Sequence, residues 1–294
     1  MLYQLTTSRK LFQAANYIFL IGLSILCILP LIHVFAISLS DKTAAAAGDV
    51  VLWPVNFTLQ SYEYVLHKPE FSKSFIVTLE RVGLGTLINM FLTILLAYPL
   101  SKEVRTFKYR TVYAWFFVLT ILFSGGLIPS YIVVSKTHLM DTIWALVIPG
   151  AVPVFNVILL LNFFRGLPKE LEEAAFVDGA RAWTVLWRVF VPLSMPALAT
   201  IMLFTIVHHW NSWFDGLIFM HRPENYPLQS YLHTVVIKID LAMQSAKDLD
   251  SLAQVSDRTS KAAQIFMGSL PILMIYPFLQ RFFVKGIVLG SVKE

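Results

Sequence analysis

Long apolar stretches alternate with short polar segments along the whole chain. A helix needs about 20 mainly apolar residues to cross the hydrocarbon core of a bilayer. The stretches of that length cover residues 16–39, 75–100, 112–134, 143–164, 195–220 and 262–283. The pattern therefore predicts an all-α, polytopic membrane protein with six transmembrane helices.

The composition supports a membrane protein and argues against other classes. Hydrophobic residues make up 57% of the 294 residues and charged residues only 14%, too few to cover a soluble protein of this size. The formal net charge of +5 does not require a nucleic-acid partner, because membrane proteins collect Lys and Arg in cytoplasmic loops. We therefore expect contact with membrane lipid and no binding of nucleic acid.

The connecting segments differ in charge, and the difference predicts their sides of the membrane. Segments 1–12, 101–111, 165–192 and 281–294 hold thirteen Lys and Arg residues against six acidic residues. Segments 41–73, 136–142 and 221–262 hold nine against ten. The positive-inside rule then places both termini in the cytoplasm, which requires an even number of crossings.

Two adjacent charges, Glu80 and Arg81, interrupt the second apolar stretch. Charges facing lipid are costly, and adjacent helical residues point in different directions. One interpretation shortens the span to residues 82–100 and leaves both charges at the outer interface. The other places them along a water-filled pathway.

The cytoplasmic segment 165–192 carries helix signals at both ends. Pro168 suits a first helical position, acidic residues such as Glu170 favour a first turn, and Gly179 is a natural C-terminal stop. After Gly179, the apolar stripe of a second helix comprises Trp183, Leu186, Trp187 and Phe190, and Pro192 would end that helix. From these residues alone, the segment is either a rigid contact with another protein or an interfacial hairpin without a partner.

A polar group lies inside the fifth apolar stretch. Its members are His208, His209, Asn211 and Asp215, among the aromatic residues Trp210, Trp213 and Phe214. Ionisable groups at membrane depth indicate a functional site. The alternatives are the lining of a translocation path, polar contacts between helices, and proton or metal chemistry. The residues predicted to line the path are His208, Trp210, Asn211, Trp213 and Asp215. Their spacing puts His208 and Asp215 on one helical face, whereas His209 points elsewhere and is expected to have only a structural role.

Motifs for chemistry within the chain are missing from the sequence. It contains no Gly-x-x-x-x-Gly-Lys-Ser/Thr phosphate loop, no His-Glu-x-x-His and no His/Cys group with zinc spacing. We therefore expect no catalytic residues, no metal and no cofactor in this chain, so that any energy source would be a partner protein.

The cytoplasmic segment closely resembles a known family motif. Glu173-Ala174-Ala175, then Asp178-Gly179-Ala180, and finally Val189-x-Val191-Pro192 look like the EAA loop of permease subunits from binding-protein-dependent ATP-binding-cassette (ABC) importers. The family usually has Ile and Leu where this chain has Val189 and Val191. In that family the loop is the coupling helix, which sits in a cleft of the ATP-hydrolysing subunit. The resemblance assigns that contact to Glu173, Ala174, Ala175, Asp178, Gly179, Ala180 and Arg181.

The resemblance extends over nearly the whole chain and implies a domain organisation. Ala97-Tyr98-Pro99-Leu100-Ser101, Trp210-Asn211 and the ending Gly286-x-x-x-Gly290-Ser291-Val292-Lys293 are similar to the second permease subunit of maltose-type importers. The segment Phe123-Ser124-Gly125-Gly126-Leu127-Ile128-Pro129 is most similar to permeases for oligosaccharides and polysaccharides, including the alginate importer. The implied organisation is a first helix and outer loop (1–74), a type I permease core (75–283) and a cytoplasmic tail (284–294). In the tail, Gly290, Ser291, Val292 and Lys293 would contact the ATPase.

The resemblance implies a subunit of an ATP-driven sugar importer in the bacterial inner membrane. Its partners would be a related second permease, two ATPase subunits that bind ATP and Mg²⁺, and a soluble sugar-binding protein. The alternatives are a proton-coupled transporter that uses His208 and Asp215, or a membrane enzyme with the same two residues as acid and base.

Overall fold

The structure, a computed structural model, describes residues 7–242 and 257–291. Within those ranges every regular element is a helix, which confirms the predicted all-α class. The helices are α1 (Thr7–Ser38), α2 (Lys42–Ala47), α3 (Gln60–Leu66), α4 (Pro69–Ser101), α5 (Arg110–Leu122), α6 (Leu127–Lys136), α7 (Ile143–Val147), α8 (Val154–Arg165), α9 (Lys169–Val177), α10 (Ala182–Val185), α11 (Val191–Leu193), α12 (Met195–Asn211), α13 (Phe214–Phe219), α14 (Leu228–Ala242) and α15 (Asp257–Ser291). A π-helical turn, Leu186–Phe190, joins α10 to α11, and a 3₁₀ turn, Pro223–Asn225, precedes α14.

Each predicted span falls on a helix or on a pair of helices. In the described residues, α1 and α4 are each long and apolar enough to cross a membrane, with 32 and 33 residues. Two bent helix pairs also qualify if each pair counts as one span, and α8 is a shorter apolar helix. The sixth predicted span lies within α15, which contains Pro271 and Pro277.

The third predicted span is not one straight helix, contrary to the simplest interpretation of its apolar run. Helices α5 and α6 meet at an angle of 112°. The break coincides with Ser124-Gly125-Gly126, where Gly126 has a φ of 86° that an L side chain rarely adopts. Ser124 Oγ accepts a hydrogen bond from the Gly126 N–H at 3.2 Å, which satisfies one of the backbone groups freed by the break.

The fifth predicted span is also interrupted. Helix α12 ends at Asn211, Ser212 is extended with a ψ of 123°, and α13 begins only at Phe214. A second bend, of 82°, separates the helical stretch Ala182–Leu193 from α12 at Ser194. The fifth span is therefore built from two helices rather than one.

The chain forms two compact units, of which the first comprises residues 1–69 and 234–270. Its core joins the end of α1 to α2 and the start of α15 through Ala36, Ala45 and Ala262. Arg258 donates from Nη1 to the carbonyl of Ala45 at 3.0 Å, and Phe35 packs against Phe266 with ring centroids 4.4 Å apart. The division of the chain predicted from sequence, at residues 1–74, 75–283 and 284–294, remains a prediction.

The second unit comprises residues 70–233 and 271–294. Its main core lies where the C-terminal half of α4 meets α8, the π-helical turn and α12. The buried core residues are Ile94, Ala97, Tyr98, Leu100, Val157, Leu160, Leu161, Phe164, Val185, Leu186, Phe190, Leu198 and Ile201. The segment predicted to contact a partner is thus built directly onto the helices of the membrane region.

Candidate functional site

Helix α9 is the centre of segment 165–192, which the charge pattern predicts to be cytoplasmic. It begins at Lys169, so Pro168 is its N-cap and not, as the sequence suggested, its first residue. The helix ends at Val177, and Gly179 follows with a φ of 81°. The stop predicted at Gly179 is therefore present.

The end of α9 is a Schellman motif. The Ala180 N–H donates to the Ala175 carbonyl at 2.9 Å, and the Gly179 N–H donates to the Phe176 carbonyl at 3.0 Å. A Cβ added to Gly179 would meet no atom within 4 Å. Glycine is therefore required by the left-handed backbone and not by lack of space.

The residues assigned to the ATPase contact form one outward surface with a packed base. Glu173, Ala174, Asp178, Gly179 and Arg181 are exposed, whereas Ala175 and Ala180 are half-buried against the core. Two apolar neighbours lie on the exposed side, Val177 at 87% exposure and Phe176 at 46%. Small, charged and apolar groups thus share a protruding helix end, although its contact with an ATPase remains a prediction.

Two ion pairs, the α4–α9 ion pairs, attach α9 to the end of α4. Lys102 Nζ lies 2.6 Å from Glu172 Oε1, and Lys169 Nζ pairs with Glu103. Lys102 and Glu103 are adjacent and have opposite charges. Their partners, Glu172 and Lys169, also have opposite charges and lie three residues apart on one side of α9. Our sequence interpretation missed this attachment, although the opposite charges just after a span could have indicated it.

Lys102 also lies against aromatic rings. Its Nζ is 3.8 Å from the ring centroid of Tyr98 and 4.0 Å from that of Phe190. Burial lowers the pKa of Lys102, and the hydrogen bond and charge of Glu172 act against that decrease. Phe190 in turn packs edge-on against Tyr98 and Phe164, at centroid distances of 5.1 and 5.3 Å. The Lys102–Glu172 ion pair therefore packs against the aromatic part of the core.

The second helix of the segment differs from the predicted regular stripe. Leu186 and Phe190 are buried, but Trp187 is half-buried and Trp183 is 59% exposed. The π-helical turn at Leu186–Phe190 widens the helix and shifts the phase of the stripe, so that Trp187 packs only at the edge of the core and Trp183 lies outside it. The sequence placed the end of this segment at Pro192, but the helical stretch continues to Leu193.

The residues predicted to line a path do not form a single group. His208, Asn211 and Trp213 are exposed, whereas Trp210 is 2% exposed and packs edge-on against Phe75. The prediction that His208 and Asp215 share one helical face is wrong, because α12 ends between them. Their role in a path remains a prediction.

A cavity of about 540 Å³ lies beside α12, between that helix, α4 and α8. His208 is the one predicted path residue that lines it. The other lining residues are Asn89, Gly150, Val152, Pro153, Phe155, Asn156, Phe204 and Thr205. Sequence analysis overlooked Asn89 and Asn156, although an amide within an apolar span was a usable signal.

A hydrogen-bond network forms the α4 side of this cavity. His209 Nε2 donates to Asn89 Oδ1 at 2.6 Å, and Asn89 Nδ2 donates to the carbonyls of Gly150 and Ala151 at 2.7 and 2.9 Å. His209 is 2% exposed, and a Cβ added to Gly85 would collide with its ring. His209 thus has the structural position that its spacing suggested, since glycine lets α12 approach α4 closely.

A second amide, that of Asn156, lines the α8 side of the cavity. Asn156 Nδ2, from α8, donates to Thr205 Oγ1 at 3.2 Å, and Thr205 donates to the carbonyl of Ile201 at 2.9 Å. Hydroxyl and amide groups therefore stand on neighbouring helices beside aromatic residues. Such a surface can hydrogen-bond a polyhydroxylated molecule and also pack against its apolar faces.

Arg81 and Asp215 form a buried ion pair where α12 gives way to α13. Arg81 Nη1 donates to Asp215 Oδ1 at 3.1 Å and to the Ser212 carbonyl at 3.3 Å, and Nη2 pairs with Asp215 Oδ2. Asp215 Oδ1 also accepts from Ser212 Oγ and the Gly216 N–H. Arg81 is 1% exposed while Glu80 is exposed, so Arg81 points into the protein, and the level of both residues in the membrane stays a prediction.

The predicted tail contacts are only partly described. Gly290 and Ser291 are the last residues of α15, which reaches Ser291. Val292 and Lys293 lie outside the described residues.

Comparisons with known proteins agree on one family. Residues 84–289 match the family described as "Binding-protein-dependent transport system inner membrane component". Protein LplC of Bacillus subtilis (strain 168) is 39% identical over 98% of this chain and 97% of its own. The polygalacturonan/rhamnogalacturonan transport system permease protein YtcP of the same strain is 36% identical over 97% and 99%.

A solved structure shares the fold over almost the full length. It is the crystal structure of a bacterial ABC transporter involved in the import of the acidic polysaccharide alginate. The match has a TM-score of 0.88 and 30% identity, and it covers 95% of this chain and 98% of the other.

Proposed function

Because the chain belongs to the family of inner membrane components of binding-protein-dependent transport systems, we propose that it admits an oligosaccharide or polysaccharide delivered by a soluble binding protein. The cavity between α4, α8 and α12 carries this proposal. Its amides, hydroxyl and imidazole can replace the water around sugar hydroxyl groups, and Phe155 and Phe204 offer apolar surfaces. The relatives named for polygalacturonan, rhamnogalacturonan and alginate support the same class of cargo.

We propose that an ATPase subunit drives this permease through α9. The Schellman motif makes the helix end stiff, and Ala174 beside Gly179 leaves room for a partner's backbone. The full complex would hold this chain, a related second permease and two ATPase subunits that bind ATP and Mg²⁺. Both termini would be cytoplasmic, so that Gly290, Ser291, Val292 and Lys293 could add a second contact to an ATPase.

The route from α9 to the cavity is short. The α4–α9 ion pairs join α9 to α4, and Asn89 on α4 lies at the cavity wall. When the ATPase subunits close on ATP, a displacement of α9 would shift the end of α4 that carries the α4–α9 ion pairs relative to α8, while Arg81 and Asp215 keep α4 joined to the α12–α13 junction. The cavity would then open alternately to the two sides, and this linkage needs no chemistry within the chain.

The geometry gives little support to proton coupling through His208 and Asp215. Asp215 already accepts hydrogen bonds from Arg81, Ser212 and Gly216, and the helix break removes His208 from its face. The solved structure of similar fold is that of an ABC transporter, which supports import driven by ATP. A membrane enzyme built on the same two residues faces the same geometric objection.

Reconstitution in proteoliposomes tests the proposal. The chain, its second permease, the ATPase subunits and the binding protein are combined, and uptake of labelled uronate oligosaccharides is measured with and without ATP. We expect uptake only with ATP, the ATPase and the binding protein together. Uptake that persists without ATP, or that follows a proton gradient, would overturn ATP-driven import; ATP-dependent uptake of a cargo other than a sugar would overturn only the cargo.

A further inference from the structure

A groove at the junction of α5 and α8 combines positive charge with an apolar wall. Its volume is about 200 Å³, and it is lined by Arg110, Thr111, Ala114, Trp115, Val118 and Arg165. The predicted third span begins at residue 112 and the fourth ends at residue 164, so the two arginines lie at a membrane boundary. Because Lys102, next to this boundary, pairs with α9, the boundary is on the side of the coupling segment.

The two arginines have donors left for an anion. Arg110 donates from Nη1 to the Lys102 carbonyl at 2.6 Å, and Arg165 donates from Nη2 to the Leu100 carbonyl at 3.2 Å. Each guanidinium has five N–H donors. Across residues 7–242 and 257–291, no carboxylate pairs with either arginine within 4.0 Å, and the nearby Glu103 and Glu172 are paired with lysines.

The charges of the two arginines also act on each other. Burial, and then the charge of Arg110, lower the pKa of Arg165, although an arginine remains protonated in a protein. Two cations that face the same groove repel each other unless an anion lies between them. The groove therefore favours a negatively charged ligand.

The rest of the groove favours a ligand with a hydrocarbon chain. Ala114 and Val118 follow Arg110 at successive turns of α5 and form an apolar wall, and Trp115 is 67% exposed beside them. Tryptophan is enriched at the level of lipid headgroups, with its ring among the first acyl carbons. A soluble anion would use the arginines but not this wall.

We propose that the groove binds an anionic phospholipid of the cytoplasmic leaflet, with its phosphate between Arg110 and Arg165 and an acyl chain along Ala114, Trp115 and Val118. Basic pockets between transmembrane helices at the cytoplasmic side are suited to such headgroups. The lipid would hold α5 against α8 and the end of α4 close to the α4–α9 ion pairs. The proposal does not depend on the transported sugar.

The test uses the assembled transporter purified in a neutral detergent. Phosphatidylglycerol, phosphatidylcholine or inorganic phosphate is added, and lipid retention is measured by native mass spectrometry together with thermal stability. We expect phosphatidylglycerol alone to be retained and to raise the melting temperature. The double variant Arg110→Gln/Arg165→Gln should bind it about 25-fold more weakly, about fivefold for each arginine. Arg105→Gln, an exposed arginine of the same turn outside the groove, should bind like the wild type.

Further measurements distinguish a lipid phosphate from free phosphate and control for misfolding of the double variant. Equal stabilisation by inorganic phosphate would overturn the lipid in favour of a small-anion site, and equal retention of phosphatidylcholine would overturn the role of charge. Unchanged binding in the double variant would also overturn the proposal. If that variant fails to assemble, Trp115→Ala leaves both arginine–carbonyl bonds in place. Trp115→Ala should still weaken phosphatidylglycerol retention severalfold, and no change there would contradict the proposal.

Discussion

Helix α4 holds its charges in two different environments. In its first half, the Arg81 side chain is 2% exposed and forms an ion pair with Asp215, where α12 is interrupted. Just past its end, Lys169 and Glu103 form an ion pair with side chains 70% and 56% exposed. About 30 Å of helix separates the two sites, at 1.5 Å per residue.

The difference indicates which end of α4 can move. Breaking a buried pair leaves a charge without water or partner, so that junction stays closed during any cycle. An exposed pair exchanges its partner for water at little cost, so that contact can open and form again. We therefore expect α4 to be fixed to the α12–α13 junction, and we expect the exposed Lys169–Glu103 pair to be the adjustable part of its contact with α9.

The largest effect is expected from breaking the buried ion pair between Arg81 and Asp215. Arg81→Met leaves the partly buried Asp215 side chain without its arginine partner and should destabilise the protein by about 3–5 kcal/mol. Glu80→Met, the adjacent but exposed charge, is the matched control and should change stability by less than about 0.5 kcal/mol. The measurement is thermal unfolding of the detergent-solubilised complex.

A paired substitution shows whether the charge or the shape matters at this junction. Arg81→Met/Asp215→Leu removes both charges and should recover most of the lost stability, because apolar replacements of buried pairs are often neutral. If Arg81→Met alone unfolds like the wild type, the junction is not held by this pair, and the contrast between the two ends of α4 is lost.

An intermediate effect is expected at the end of α9. Gly179→Val forces a β-branched residue into the left-handed region, which costs roughly 1–2 kcal/mol and misdirects the helix end. Gly179→Asn is the control, since asparagine tolerates this conformation. We expect Gly179→Val to reduce ATP-driven uptake and copurification of the ATPase, with Gly179→Asn close to wild type. Equal results for the two variants would argue against a coupling role for the left-handed turn.

Local patterns in the sequence predicted part of this structure well. The apolar runs gave the helices of the membrane region, and the stop at Gly179 was predictable because a Schellman motif involves only residues close in sequence. His209 was assigned to packing from its spacing, and it is buried against Asn89.

Features that depend on distant partners were not predictable. The end of α12 at Asn211 is stabilised by Arg81, which is 131 residues away from Ser212 in sequence. Hydropathy reports how apolar a segment is, but it does not report where its backbone changes direction. Trp210 was predicted to line a path because tryptophan stacks on sugars, yet Phe75 and the core bury it.

The smallest expected effect is that of breaking the more exposed of the two α4–α9 ion pairs, with the more buried pair as the comparison. Lys102 and Glu172 are 11% and 20% exposed, whereas Lys169 and Glu103 are mostly in water. Glu103→Gln should therefore lower the stability only slightly, because water replaces the lost partner. Glu172→Gln should cost more, about 1.5–3 kcal/mol, because it leaves the Lys102 ammonium half-buried against Tyr98 and Phe190 without its carboxylate.

Salt and pH sharpen this last comparison. At about 1 M salt, where the screening length is about 3 Å, the effect of Glu103→Gln should disappear, while that of Glu172→Gln should largely remain. The hydrogen bond and charge of Lys169 lower the pKa of Glu103, so the stabilisation by this pair is present above the ordinary carboxyl pKa and is lost as pH falls through the lowered value. The difference between wild type and Glu103→Gln in thermal unfolding should accordingly shrink with acid as well as with salt. If Glu103→Gln is instead the costlier variant and is insensitive to salt, the exposed pair is the fixed contact, and α9 is not adjustable at this end of α4.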